Sequence, residues 1–331
     1  MMNSSNELFL LYSVNLNTYL YFCSKINNDM NNLEGLSKKI KSYMMPIAMV
    51  IGFIFYQQVS VLSFIVPYLI FIMLLLTFIK ISWRDIHIST MHIWMILFQV
   101  IASGVVYYLI NPYNSILAQG TMICILAPTA TSAPVITKML GGNVESLTSY
   151  SLVSNLVLVA VAPLLFSEIG FHSLPFLDSA WQISRRVALL LILPLVIAFL
   201  INRLMPVASN FLQEKSDISF YLWSIALTIV SGRTLHFILS QDESNYKIEF
   251  LLAVFSLLVC IFQFWLGRKI GRKYQNTVAG GQGLGQKNTI LAIWMAQVYL
   301  NPIASIAPGL YVVWQNSVNS WQVWRSRRTI R

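Results

Sequence analysis

The chain has 331 residues, of which 56% are hydrophobic and only 10% charged, and its formal net charge is +10. A soluble domain carries about 25% charged residues, so a chain with mean hydropathy +0.66 cannot cover its own surface and must use lipid as solvent for much of it. Three scattered cysteines, Cys23, Cys124 and Cys260, have neither metal-ligand spacing nor the pattern of a disulfide framework.

Residues 1–42 come first. They are Asn-rich and loosely apolar, with no basic region ahead of the apolar part, which is unlike a signal peptide. They read as an N-terminal segment outside the membrane, either disordered or interfacial, with Met30 as an alternative start. A span needs roughly 20 apolar residues. Spans follow at 43–57, 62–80, 89–110, 115–140 (interrupted), 146–167, 183–204, 219–240, 249–270, 276–298 (interrupted) and 303–323. The expected fold is all-α and integral to the membrane. It has two five-helix repeats, 43–167 and 183–323, and a basic tail, 324–331. Five is odd and the order of features repeats, so the halves are expected to be inverted.

Charge supports that count. With the N-terminus inside, seventeen of the 22 Lys and Arg fall on the cytoplasmic side. Arg185, Arg186 and Lys247 fall outside, and Arg233 and Lys287 lie within spans. This is the positive-inside bias, not a nucleic-acid footprint. It puts both termini in the cytoplasm and the chain in the inner (plasma) membrane. Leu97-Phe98-Gln99 in the third span and Ile261-Phe262-Gln263 in the eighth form a weak internal match, each with a glutamine in mid-span.

The first interruption is Ala127-Pro128-Thr129-Ala130-Thr131-Ser132-Ala133-Pro134. Each proline removes a backbone donor and clashes with the preceding turn. In hydrocarbon the freed carbonyls need partners, so such backbone is tolerated where it lines a cavity or is buried in protein. The alternative is a simple kink satisfied by Thr and Ser side chains. The second interruption runs from Gly280 to Thr289. Four glycines in six residues hold a regular helix poorly, so Gly280–Gly285 is expected to be unwound. It is not a phosphate-binding loop, since the spacing to Lys-Ser/Thr is wrong and no strand precedes it. Half-helix ends at two such breaks offer N–H groups to an anion and carbonyls to a cation.

Around these breaks the chain resembles the bile acid:sodium symporter family. The matching stretches are Pro128–Val135, Gly141-Gly142-Asn143-Val144, Ser149–Asn155 and Ala162–Leu165. They continue in Gly283-Leu284-Gly285-Gln286-Lys287-Asn288-Thr289-Ile290-Leu291-Ala292 and Ala307–Asn316. The resemblance implies ten spans. Spans three to five and eight to ten would form a core, the broken spans would cross, and spans one, two, six and seven would form a panel. It also implies divergent sodium sites. The family's Ser-Asn ligands in the first break correspond to Ala133 and Pro134. Its span-five Ser and Thr correspond to Leu147 and Ser151. Its acidic ligand corresponds to Gly283 and the neighbouring Gln to Lys287, and only the span-three Gln persists, as Gln99.

Lys287 is the sharpest residue. A charge near mid-membrane costs at least about 2.5–3.5 kcal/mol and usually marks function. The expectation is that its ammonium replaces a sodium ion. A buried lysine can titrate near neutral pH, so a proton is the other coupling ion. The competing reading is a lysine that snorkels to the surface. The expected function is secondary transport of a small organic anion. The candidate binding residues are Gln99, Thr129, Thr131, Ser132, Ser151, Asn155, Gln286, Lys287 and Asn288, with no cofactor and no metal. Alternatives are a metalloid-oxyanion (arsenite-type) carrier, for which Cys124 sits a helical turn off, and a non-transporting sensor or degenerate paralogue. No nucleophile–base pair points to an enzyme. Substrate identity, direction of transport and oligomeric state are not written in the sequence.

Overall fold

A computed structural model describes residues 44, 46–81, 86–169, 175–214, 218–240 and 246–329. Contacts divide the chain into Met1–Ala48 and Met49–Arg331. In the first unit the described residues are helical, and the expected N-terminal segment 1–42, with Cys23, lies outside the described residues. All that follows concerns the second unit.

Among the described residues every named element is helical. The chain enters α1 (Tyr56–Val61), a 3-10 turn (Leu62–Ile65) and α2 (Val66–Ile79), then α3 (Thr90–Ile110). The first interrupted span is α4 (Ser115–Leu126) followed by α5 (Ala133–Met139). Then come α6 (Val144–Ile169), α7 (Phe176–Leu204), the short α8 (Pro206–Glu214), α9 (Ile218–Leu239) and α10 (Tyr246–Lys273). The second interrupted span is α11 (Thr277–Gly285) followed by α12 (Thr289–Tyr299). A 3-10 turn (Pro302–Ser305) leads into α13 (Ile306–Thr329).

Six helical runs are long and apolar enough to cross a membrane: Tyr56–Ile79, α3, α6, α7, α9 and α10. The connection expected at 58–61 is helical, and the irregularity falls at Leu62–Ile65 instead. Residues 324–329, expected as a tail, continue α13.

Helix α3 shows which solvent the fold is built for. Ile93, Trp94, Leu97, Ile101 and Val105 are exposed, while Met91, Met95, Gln99, Ser103 and Tyr107 are buried. The apolar face points outward and the polar groups point inward, the reverse of a water-soluble helix. Lipid accepts the first, and only protein partners satisfy the second.

The glycine-rich stretch is a correction. Gly280–Gly285 was expected to be unwound, but it is helical as α11. Its glycines serve packing. A Cβ on Gly280 would overlap the Gly267 carbonyl oxygen of α10, and one on Gly267 would overlap the Gly280 carbonyl oxygen. Without side chains at these points the two backbones approach closely, and dispersion replaces the hydrophobic drive that lipid lacks. The unwound segment is only Gln286–Asn288. The first break is shorter too, because Pro134 sits in the first turn of α5, where a missing N–H costs nothing.

The helix crossover as candidate functional site

An α-helix leaves its last four carbonyls without an intrahelical donor. At the end of α4, Ala127 N–H still reaches Ile123 O at 3.0 Å, but Pro128 has no N–H to offer the next carbonyl. Four carbonyls are left, at Cys124, Ile125, Leu126 and Ala127, and each is met by a side chain. Gln263 Nε2 of α10 donates to Cys124 O at 3.2 Å. Lys287 Nζ donates to Ile125 O at 2.9 Å. Gln99 Nε2 of α3 donates to Leu126 O at 2.6 Å and Ala127 O at 3.2 Å.

The end of α11 is treated the same way. Thr129 Oγ1 donates to Gly283 O at 2.8 Å, and Tyr311 OH of α13 donates to Gly285 O at 2.8 Å. The breaks then bond to one another. Ala130 N–H donates to Gln286 O at 2.9 Å and Asn288 N–H to Pro128 O at 2.8 Å, forming an antiparallel bridge between Thr129 and Lys287. The two unwound stretches therefore satisfy each other, which is the condition for non-helical backbone in a membrane.

Lys287 is 1% exposed and is the only fully buried Lys, Arg, Asp or Glu among the described residues. It does not snorkel. Its ammonium rests at the carboxyl end of α4, the negative end of that helix's dipole. Gln315 of α13 clamps its backbone: Lys287 N–H donates to Gln315 Oε1 at 2.8 Å, and Gln315 Nε2 donates to Lys287 O at 3.3 Å.

Of the residues singled out in the sequence, Gln99, Thr129, Ser132, Gln286, Lys287 and Asn288 meet at the crossover. Gln286 Nε2 donates to Ser132 Oγ at 2.9 Å. Asn288 caps α12, accepting from Leu291 N–H at 3.3 Å. Thr131 is half-buried and Ser132 exposed. On α6, Asn155 Nδ2 bonds its own helix at Ser151 O, 2.7 Å away. The α6 residue that bonds the break is Ser154, whose Oγ accepts from Thr129 N–H at 3.2 Å. Cys124 and Cys260 are buried in an apolar cluster with Leu117, Leu252 and Phe264.

Three further residues of the site were not singled out. Tyr150 OH donates to Gln99 Oε1 at 2.9 Å, Gln263 Nε2 donates to Tyr311 OH at 3.1 Å, and Gln315 holds Lys287. One signal was available: Tyr311 and Gln315 stand four apart and so share a face of α13.

Two broken helices thus cross and bond each other here, and comparison with known sequences gives the family. The sequence model of the SBF-like CPA transporter family matches residues 80–314. The chain belongs to this family. As an SBF-like protein it is a multi-pass membrane protein of transporter type, and its resemblance to bile acid:sodium symporters holds at family level. No curated protein matches it. The matched stretch runs from the end of α2 into α13 and includes both breaks, Gln99, Gln263 and Lys287. In this SBF-like chain a cavity of about 680 Å³ lies away from the crossover, lined by residues of Gly141–Glu145 and Gln275–Val278.

Proposed function

We propose that the protein is a secondary transporter of a small organic anion, working by alternating access without sodium, with the Lys287 ammonium in the place of a coupling cation. The carrying observation is the bond from Lys287 Nζ to Ile125 O. A cation site at a helix break consists of carbonyls that lack donors. Here all four carbonyls at the end of α4 have donors, and one of those donors is itself a charge. A proton is the alternative coupling ion: an amine that sheds and regains a proton in the cycle would alternately free and cover Ile125 O.

The architecture that goes with this reading has ten spans in two inverted five-helix repeats, a core carrying both broken helices, and a panel that moves against it. Two relationships support the inversion. Gln99 and Gln263 occupy matching places in the sequence, and each is hydrogen-bonded to a tyrosine of the last span of its half, Tyr150 and Tyr311. Phe98 and Phe262, which precede them, face each other at 5.9 Å between ring centroids. Equivalent residues meet each other only near a two-fold axis. Helix α12 begins at the crossover and points its positive end there, which suits an anionic substrate. Exposed Ser132 and half-buried Thr131 supply hydroxyls beside it. The charge distribution supports cytoplasmic termini and an inner (plasma) membrane.

The test has two stages. Purified protein is screened by thermal shift against organic anions, with and without sodium and across pH. Flux of the best binder is then measured in vesicles. The expected result is equal flux in sodium and potassium buffers, and loss of flux in Lys287→Ala. A sodium requirement in the unmodified protein overturns the reading.

A further inference from the structure

Helix α13 carries a file of buried polar side chains. Tyr311, Gln315, Asn319 and Gln322 are each at most 6% exposed. Their spacing of four, four and three residues puts them on one face of the helix. The first two belong to the crossover, where Tyr311 bonds Gly285 O and Gln315 clamps Lys287. The last two face Gln282 of α11, itself 1% exposed. Gln282 Nε2 donates to Asn319 Oδ1 at 3.0 Å and to Gln322 Oε1 at 3.2 Å. Arg268 Nη2 of α10 donates to the same Gln322 oxygen at 3.3 Å.

The guanidinium fixes which way each amide faces. It can only donate, so the Gln322 atom that it meets is the oxygen. Gln282 must then turn its nitrogen toward that oxygen. The same nitrogen reaches Asn319, which must present its oxygen in turn. Rotating any one of the three amides end for end brings like atoms together, so the usual ambiguity of carboxamide orientation is resolved by the bonds themselves.

This chain of bonds leaves two atoms over, Gln282 Oε1 and Asn319 Nδ2. Both are buried, and neither has a hydrogen-bond partner among the described residues. They belong to side chains already joined at 3.0 Å, and one is an acceptor while the other is a donor. Buried polar atoms are paired as a rule, and an orphan calls for a partner. The chemistry of the two atoms selects it. A cation suits the oxygen but is repelled by the amide N–H groups, and an anion suits the N–H groups but is repelled by the oxygen. Water donates and accepts from one small body, and it suits both.

We propose that Gln282 Oε1 and Asn319 Nδ2 hold a buried water between α11 and α13. The water donates to Gln282 and accepts from Asn319, and waters in such places are part of the fold. It ties the half-helix α11, which ends in the crossover, to α13. It also places solvent on the face of α13 that leads to Gln315, one helical turn from Asn319. The site stands on its own geometry and does not depend on the transport reading.

Solid-state NMR of the full chain, labelled with nitrogen-15 and reconstituted in bilayers, tests this by passing magnetisation from water protons to side-chain amides at short mixing times. Gln275, exposed in a turn, is the wet reference. Gln99 is the dry one, because its nitrogen bonds Leu126 O and Ala127 O and its oxygen accepts from Tyr150. The Asn319 peak is identified by its loss in Asn319→Ser, or in Asn319→Asp if the first variant does not fold. The expected result is that Asn319 gains signal from water faster than Gln99 does, although both are buried. Build-up at Asn319 equal to or slower than that at Gln99 overturns the proposal.

Discussion

Lys287 Nζ and Ile125 O are separated by 162 positions in the chain and by 2.9 Å in space. One carries a buried charge and the other is a carbonyl that its helix cannot satisfy. Lys287→Met keeps the length of the stem and removes only the ammonium. The orphaned carbonyl costs about 1–3 kcal/mol, while relief of a buried charge returns about 2.5–3.5 kcal/mol. The terms offset, so the melting temperature should change by no more than a few degrees while flux falls about tenfold or more. A thermal melt and a vesicle assay on the same preparation check this. A variant that transports normally refutes the role given to the amine.

Gln99 is the most heavily bonded side chain of the site. Gln99→Leu strands the Leu126 and Ala127 carbonyls and the Tyr150 hydroxyl together. At about 1–3 kcal/mol for each buried orphan, the variant should unfold well below the parent or fail to accumulate. Tyr150→Phe strands only Gln99 Oε1 and should be clearly milder. Unfolding curves in detergent that place Tyr150→Phe at or below Gln99→Leu contradict the bond assignments.

Two glycine substitutions separate packing from propensity. Gly280→Ala places a methyl group against the Gly267 carbonyl, so one of the two backbones must shift, and folded protein should be largely lost. A Cβ at Gly104, within α3, meets nothing within 4 Å. Gly104→Ala should stabilise by roughly 0.5–1 kcal/mol, because alanine loses less backbone freedom in a helix. Expression level and melting temperature report both. A well-folded Gly280→Ala protein would disprove the close contact between α10 and α11.

Cys124 and Cys260 are buried in apolar surroundings and should resist labelling. In a Cys23→Ser background a membrane-impermeant maleimide should leave the folded protein unmodified and react with both thiols after denaturation. Cys124→Ser should leave arsenite tolerance of the host unchanged. Rapid labelling of Cys124 in the native state would reopen the metalloid-carrier alternative.

The glycine run shows where sequence reading stops. Helix propensity is a local quantity, and by that measure Gly280–Gly285 should unwind. Close packing against Gly267 holds it helical, and no local scale contains that contact. The opposite holds at Pro128. A missing N–H is a covalent fact, so the break there needed no neighbours to be foreseen. Ser154 was passed over for Ser151 and Asn155 because a hydroxyl in an apolar helix carries no direction in the sequence. One step along a helix turns a side chain by about 100°, and that is what separates Ser154 from Asn155.

The sequence by itself determined the solvent, the helical class, the break at Pro128 and the presence of one costly charge, Lys287, at the second interruption. These follow from composition, from proline chemistry and from the price of a cation in hydrocarbon. Only the tertiary structure decided which donor meets which carbonyl. The partners of Cys124, Ile125, Leu126 and Ala127 come from α3, α10 and the second break, and long-range pairing depends on how helices pack rather than on any segment's own preference.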